Sequence, residues 1–209
     1  MQEELGLFPL PLVLVPTERI PLHIFEPRYK ELINECLERG EPFGLVLAAG
    51  EGAVHDVGTR ASVEEVLEVL DDGAMNIVVE GRERFRLFEL TSGRSFATCI
   101  VGPFVDADEP PVAAQTARAF ELFRALAEAT GSDVDLPNPD EPQLDFRLAA
   151  RVDFGADAKQ ELIADPSPSH RMQRLAELLG LALEATELQK TLQERASGNG
   201  KVAPLDPDA

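Results

Sequence analysis

The chain changes pattern once along its length, and that single change limits its possible folds more than any other feature. Up to about Phe104 the apolar residues come in short runs rich in Val and Ile, punctuated by Gly, as strands do. After Asp106 they recur at intervals of three and four, as on helix faces. Between the two lies Asp106-Ala107-Asp108-Glu109-Pro110-Pro111, an acidic stretch ending in a proline pair that neither a helix interior nor a central strand accommodates. Strands segregated before helices specify the α+β class. The expected division is a strand-rich domain over 1–105 with one helix near 27–39, a helical domain over 106–195, and a disordered tail over 196–209, where Gly, Pro and Asp follow no period.

Within the first part, Phe8 to Val15 and Ile20 to Phe25 read as extended. Prolines at 9 and 11 place the first of these at a sheet edge. Pro27 opens a helix whose apolar face is Tyr29, Leu32, Ile33, Cys36 and Leu37, and Gly40 suits its C-terminal cap. Strands are expected over Phe43–Leu47, Val63–Leu70, Asn76–Glu80, Phe85–Leu90 and Ser95–Val101, with Asp71-Asp72-Gly73-Ala74 as a hairpin turn. In the second part, helices are expected over Ala117–Ala129 (face Phe120, Phe123, Ala127), Leu144–Val152 and Ala158–Ala164. A last helix is capped by Ser167 before Pro168 and carries Met172, Leu175, Leu179 and Ala182 on one face.

Composition narrows the function. The 209 residues hold 38 acids and 19 bases, a net charge of -19, and both halves carry roughly twice as many acids as bases. Such a field opposes approach to nucleic-acid phosphates and to an anionic membrane surface, so neither is an expected partner. An acidic N-terminus with an apolar run broken by prolines is unlike a secretory signal. With two cysteines, Cys36 and Cys99, read as reduced thiols, the expected location is the cytoplasm.

Few residues converge on chemistry. The three histidines, His23, His55 and His170, lack the short ligand spacings of metal sites, so no metal and no cofactor is expected. No G-x-S-x-G, Ser with a nearby Lys, or Cys with a companion His is found, and no catalytic residue is assigned. Cys36 on a helix face and Cys99 inside a strand fit buried structural thiols. Arg82, Arg84 and Arg86 form the one local inversion of charge, either an anion site or a set of ion pairs with nearby glutamates. The most unusual stretch is Ile20 to Tyr29, which sets His23, Glu26, Arg28 and Tyr29 among large apolar residues at a strand-to-helix junction. Glu26 and Arg28 either tie that corner together or belong to a polar patch beside an apolar groove. The candidate binding residues are His23, Phe25, Glu26, Arg28, Tyr29 and Arg82.

Several runs in combination resemble the Lon protease N-terminal (substrate-binding) domain family: Leu7-Phe8-Pro9-Leu10-Pro11-Leu12-Val13-Leu14-Val15-Pro16, Pro21-Leu22-His23-Ile24-Phe25-Glu26-Pro27-Arg28-Tyr29 and Phe43-Gly44-Leu45-Val46-Leu47. Val57-Gly58-Thr59, Asn76-Ile77-Val78-Val79-Glu80-Gly81, Arg84-Phe85-Arg86-Leu87 and Arg171-Met172-Gln173-Arg174-Leu175 extend the likeness over about Leu5 to Leu192. The resemblance implies a PUA-like β-barrel followed by a helical bundle, standing alone without the ATPase and protease modules of full-length Lon proteases. It further implies a non-catalytic module binding exposed or partly unfolded polypeptide in an apolar groove between barrel and helices, as a monomer or weak homodimer. The alternatives are an adaptor or regulator of a separate ATP-dependent protease, and a hydrolase acting alone. PUA-like barrels elsewhere often bind RNA, which the -19 charge opposes.

Overall fold

A computed structural model describes residues 2–50 and 52–199, and side chains through residue 195. Among the described residues, seven strands with one helix between the second and third precede four further helices, and the fold is α+β. The strands are β1 (Glu3–Leu10), β2 (Arg19–Ile24), β3 (Phe43–Gly50), β4 (Ala53–Val54), β5 (Val57–Val69), β6 (Met75–Thr91) and β7 (Thr98–Pro103). The helices are α1 (Pro27–Arg39), α2 (Ala113–Thr130), α3 (Leu144–Ala149), α4 (Ala156–Ala164) and α5 (Pro168–Asn199).

Five strands close into a barrel in the order β1-β7-β6-β5-β3, and a parallel pairing of β1 with β3 seals the ring. The first strand therefore does not lie at an edge, and it runs over Glu3–Leu10, not Phe8–Val15. Its two halves use different neighbours: Glu3 to Gly6 pair with β7, and Leu7 to Leu10 pair with β3. Pro9 falls in the second half, opposite Val46, and Pro11 and Pro16 lie past the strand. A proline is tolerated in a closed barrel where the strand changes partners, because its missing N–H is then owed to one neighbour only.

Inside the barrel, Leu5, Leu7, Val46, Phe85, Cys99 and Val101 form a closed core. Phe85 is fully buried because Gly44 and Gly58 leave room for its ring; a Cβ on Gly58 would come within 2.6 Å of Phe85 Cζ and of the Leu45 carbonyl oxygen. Helix α1 lies over another side of the barrel. Its Tyr29, Leu32, Ile33 and Cys36 are buried with Phe8, Phe43 and Ile77, while Leu37 is exposed. Gly40 ends α1 at φ 65° in the left-handed region that glycine adopts without strain.

The segments Asn76–Glu80 and Phe85–Leu90 are one strand, not two: β6 runs unbroken for 17 residues. Its first half leaves the barrel and carries β2 on one side and the end of β5 on the other, forming a three-stranded ribbon. The hairpin turn falls where the Asp-Gly pair places it. Asp72 Oδ1 accepts from the Ala74 N–H at 2.9 Å, and Lys30 Nζ on α1 donates to the Asp72 carbonyl at 2.8 Å.

A further core joins barrel and helices. Val13, Val15, Leu47 and Val57 pack with Phe123, Leu126, Phe146, Ile163, Met172, Leu175 and Leu179. Helix α2 starts at Ala113 and buries Ala119, Leu122, Phe123 and Leu126. Its buried face is thus rotated from the expected one, and Phe120 and Ala127 are half-buried at its margin. Ser167 Oγ accepts from the His170 N–H at 3.3 Å, as a capping residue does. Helix α5 continues to Asn199, past the point where a tail was expected; residues 200–209 lie outside the described residues.

Candidate binding surface on the barrel ribbon

Alternation along β2 turns Ile20, Leu22 and Ile24 toward the core, and Arg19, Pro21 and His23 outward. On that outward face His23, Asn76 and Glu68 stand side by side across three strands. His23 Nδ1 lies 2.7 Å from Asn76 Oδ1, and Asn76 Nδ2 donates to Glu68 Oε2 at 2.9 Å. With the Asn76 oxygen turned to the ring, His23 Nδ1 is the donor. Phe25 stacks on His23 with ring centroids 5.7 Å apart and is 60% exposed. Pro21, His23, Leu67, Glu68 and Asn76 line an open depression of about 640 Å³.

Exposed apolar side chains surround it. Leu67 sits at a bulge in β5, with Val66 before it and Val69 and Leu70 after it toward the turn, all exposed together with Phe25; Val66 and Val69, opposite Ile77 and Met75, lie on the other face of the ribbon. Among the described residues β2 pairs only with β6, and so does β5 beyond Ser62. Both ribbon edges therefore present unpaired backbone groups, with Pro21 on one of them.

The other sequence candidates divide. Glu26 precedes the first turn of α1, and its carboxylate accepts from Arg28 Nε at 2.9 Å, so the corner is tied. The Arg28 guanidinium lies 4.5 Å from the Tyr29 ring. Tyr29 is 6% exposed and packs on Phe8 at 3.9 Å between centroids; burial raises its hydroxyl above the ordinary range. It is a core residue more than a surface one. Arg82 stands six residues along β6 from Asn76, about 20 Å away at the usual strand rise. It belongs to a surface ladder with Glu80 (3.2 Å), Glu64 (2.5 Å) and, through both acids, Arg19.

Arg84 leaves the basic cluster altogether. It is buried at the junction of barrel and helices, donating to the carbonyls of Ile163 (2.8 Å) and Asp165 (3.0 Å) and pairing with Asp106. Arg171, 2% exposed, meets it there: Nε donates to Asp145 Oδ2 at 2.5 Å, and Nη1 and Nη2 grip Asp106 at 2.7 and 3.0 Å. Burial opposes ionisation of Asp106, but hydrogen bonds from Arg171 and the charge of Arg84 outweigh it and hold the carboxyl below its ordinary range. The junction expected to hold an apolar groove is thus filled by core side chains and this ion network. Such a network is visible in sequence only as an acidic seam and a lone Arg on a helix. The ribbon's apolar tip has a clearer signal: Val66-Leu67 and Val69-Leu70 put apolar residues at both strand parities beside a turn.

Among the described residues no group of three or more His, Cys, Asp or Glu side chains could hold a metal ion, and no helix is long and apolar enough to cross a membrane. Burial pushes the Cys36 thiol up to about 11 and the Cys99 thiol up to about 12.

A model of the family described as the ATP-dependent protease La (LON) substrate-binding domain matches residues 4–180. The chain belongs to that family. Similar curated proteins include the Lon protease of Paraburkholderia phytofirmans, 26% identical over 205 residues, covering 89% of this chain and 25% of the relative. The Lon protease of Porphyromonas gingivalis is 26% identical over 215 residues, covering 92% and 25% respectively. The chain spans about a quarter of the length of these Lon proteases. The crystal structure of a Lon N-terminal domain protein from Xanthomonas campestris superposes with a TM-score of 0.67 at 26% identity, covering 83% of this chain and 96% of that one. The N-terminal domain of the Mycobacterium avium complex Lon protease shares the fold at 15% identity, with a TM-score of 0.65 and coverage of 85% and 98%.

Proposed function

We propose that this Lon-family chain is a non-catalytic module that binds exposed, apolar segments of polypeptide on the outer face of the β2–β6–β5 ribbon. The observation that carries the reading is the exposed pair Phe25 and Leu67 beside the His23–Asn76–Glu68 line, at a ribbon end where Val66, Val69 and Leu70 are exposed as well and whose edges are unpaired. Apolar side chains of a client supply affinity there, and the open edge supplies backbone hydrogen bonds to an extended segment. A net charge of -19 keeps such a surface soluble and disfavours RNA. Burial holds both thiols well above their ordinary range, so neither is a ready nucleophile at neutral pH, which supports a role without cysteine-based covalent catalysis.

Titration calorimetry with a permanently unfolded model protein tests the reading. Phe25→Ala and Leu67→Ser remove exposed side chains, so melting temperatures should hold while affinity falls about 5- to 30-fold each, the equivalent of burying the exposed half of one apolar side chain. Wild-type protein that binds no unfolded chain would defeat the proposal, and so would binding indifferent to both substitutions. A pull-down from cell extract then separates a scavenger, which brings down mixed clients, from an adaptor, which brings down an ATP-dependent protease.

A further inference from the structure

Helix α5 outruns the molecule that supports it. Helix α2 lies alongside it from Gln115, whose side chain meets Ser169 and Gln173, to Thr130, which shares a hollow with Ala182 and Thr186. Past Thr186 the helix continues to Asn199, about 20 Å at 1.5 Å per residue, and side chains 187–195 are all exposed. The segment also lies beyond residue 180, where the family match ends.

An apolar seam runs from the end of the supported stretch into this projecting part. Leu181, Leu188 and Leu192 are 61%, 62% and 56% exposed, and with Ala185 they are spaced by four, three and four residues. That is the alternation of d and a positions in two heptads, which keeps one stripe facing a partner helix. An isolated helix gains nothing from such a stripe and is marginal at this length. At the foot of the stripe, Ala114, Ala176, Gly180 and Leu181 line an open groove, and apart from the neighbouring backbone of α5 nothing lies within 4 Å of where a Gly180 Cβ would be.

We infer that a second copy of this chain covers the seam, through antiparallel pairing of the two α5 helices. Pairing a against d across the axis sets Leu181 against the partner copy's position 192 and Ala185 against its position 188. Of the four layers, the two outer ones then set large against large and the two inner ones small against large, so each small residue faces a large one. Flanking pairs fall as Glu184 with position 191, a Thr, and Ala182 with position 189, a Gln, so no like charges meet beside the seam. The charges also choose the direction. A parallel pair would set Arg195 against itself at a d position, whereas the antiparallel pair sets it beside Glu177 of the other copy, an exposed acid on the same edge. Two heptads make a small interface, and two bodies of charge -19 repel. The expected dissociation constant is therefore micromolar, on the order of 10–100 µM, and tighter at high salt.

Sedimentation velocity on the full chain, from about 1 to about 500 µM, spans that range. The expected result is a monomer passing to a dimer with concentration, with the midpoint moving lower between about 0.15 and 0.5 M salt. Leu188→Lys, at an exposed position, should weaken association at least about tenfold without lowering the melting temperature. A monomer throughout, or a dimer unaffected by Leu188→Lys, overturns the inference. Direction is read by oxidation. Mixed Ala185→Cys and Leu188→Cys proteins should cross-link to each other, and cross-linking of Ala185→Cys only with itself would overturn the antiparallel arrangement. None of this depends on the peptide-binding reading, which concerns the opposite part of the chain.

Discussion

Thr17 is the residue that the fold holds most nearly against its own preference. A β-branched side chain rarely adopts positive φ, yet Thr17 sits at φ 70°. Its N–H donates to the Gly81 carbonyl at 2.8 Å, and its Oγ1 is buried without a partner. The position is fixed from both sides. Next in the chain, the buried Glu18 carboxylate accepts from the Val15 N–H at 3.0 Å and from Lys159 Nζ on α4 at 2.5 Å. Opposite, a Cβ on Gly81 would lie 2.2 Å from the Val15 carbonyl oxygen. Thr17→Gly relieves the left-handed strain and the orphaned hydroxyl at the cost of a more flexible unfolded chain. It should raise unfolding stability by about 1 kcal/mol. Gly81→Ala should lower it by at least about 1–3 kcal/mol, since backbone cannot step aside as a side chain does. Denaturant midpoints of the two variants check both signs, and a destabilised Thr17→Gly would contradict the strain argument.

At the scale of elements, the β5–β6 hairpin shows what local chemistry decides. The turn is set by Asp72, whose carboxylate accepts the Ala74 N–H, and that bond holds the group below its ordinary range. Because the folded value is depressed, the turn's contribution is complete above the ordinary carboxylate range and is lost as pH falls through the folded value. Asp72→Ala should therefore speed amide exchange at Gly73 and Ala74 at neutral pH, leave the melting temperature nearly unchanged, and abolish the acid dependence of that local exchange. Hydrogen exchange by mass spectrometry reads all three. The turn, α1, its Gly40 cap and the Ser167 cap were legible because each is written in neighbouring residues. The route of β1 was not, since a change of partner from β7 to β3 within one strand depends on residues about 40 and 90 positions away. Nor was the continuity of β6, for Gly81 reads locally as a break and is instead the place where the Val15 backbone comes closest. The binding surface was half legible. Of the candidate residues, His23 points outward from β2 and Phe25, just past it, is exposed, whereas Tyr29 turns into the core and Arg82 lies in a separate ladder. The Leu67 bulge was set by pairing with β6, which no local pattern reports.

At the scale of the molecule, the acidic seam that divides the sequence is also what ties it together. Asp106 lies between the last strand and α2, yet it is the shared anion of Arg84 from the barrel and Arg171 from α5. The same junction buries Val13, Val15, Leu47 and Val57 under the helices. We propose that residues 1–105 and 106–195 unfold together in place of two separate transitions, because either part alone would expose that apolar face and leave a buried arginine without its acid. Arg171→Ala leaves Asp145 buried and unpaired, so it should cost about 3–5 kcal/mol and lower one common transition, with no barrel-only intermediate surviving. Asp106→Asn separates charge from packing. Since the Asp106 carboxyl is depressed in the folded state, its stabilisation is complete above about pH 4, the ordinary carboxylate range, and is lost as the pH falls through the lower folded value. The wild-type chain should thus lose melting temperature more steeply than Asp106→Asn as the pH falls below about 4. Calorimetry across that window decides it: parallel curves would mean that the seam contributes packing alone, and two resolved peaks would mean that the strand-rich and helical parts are independent after all.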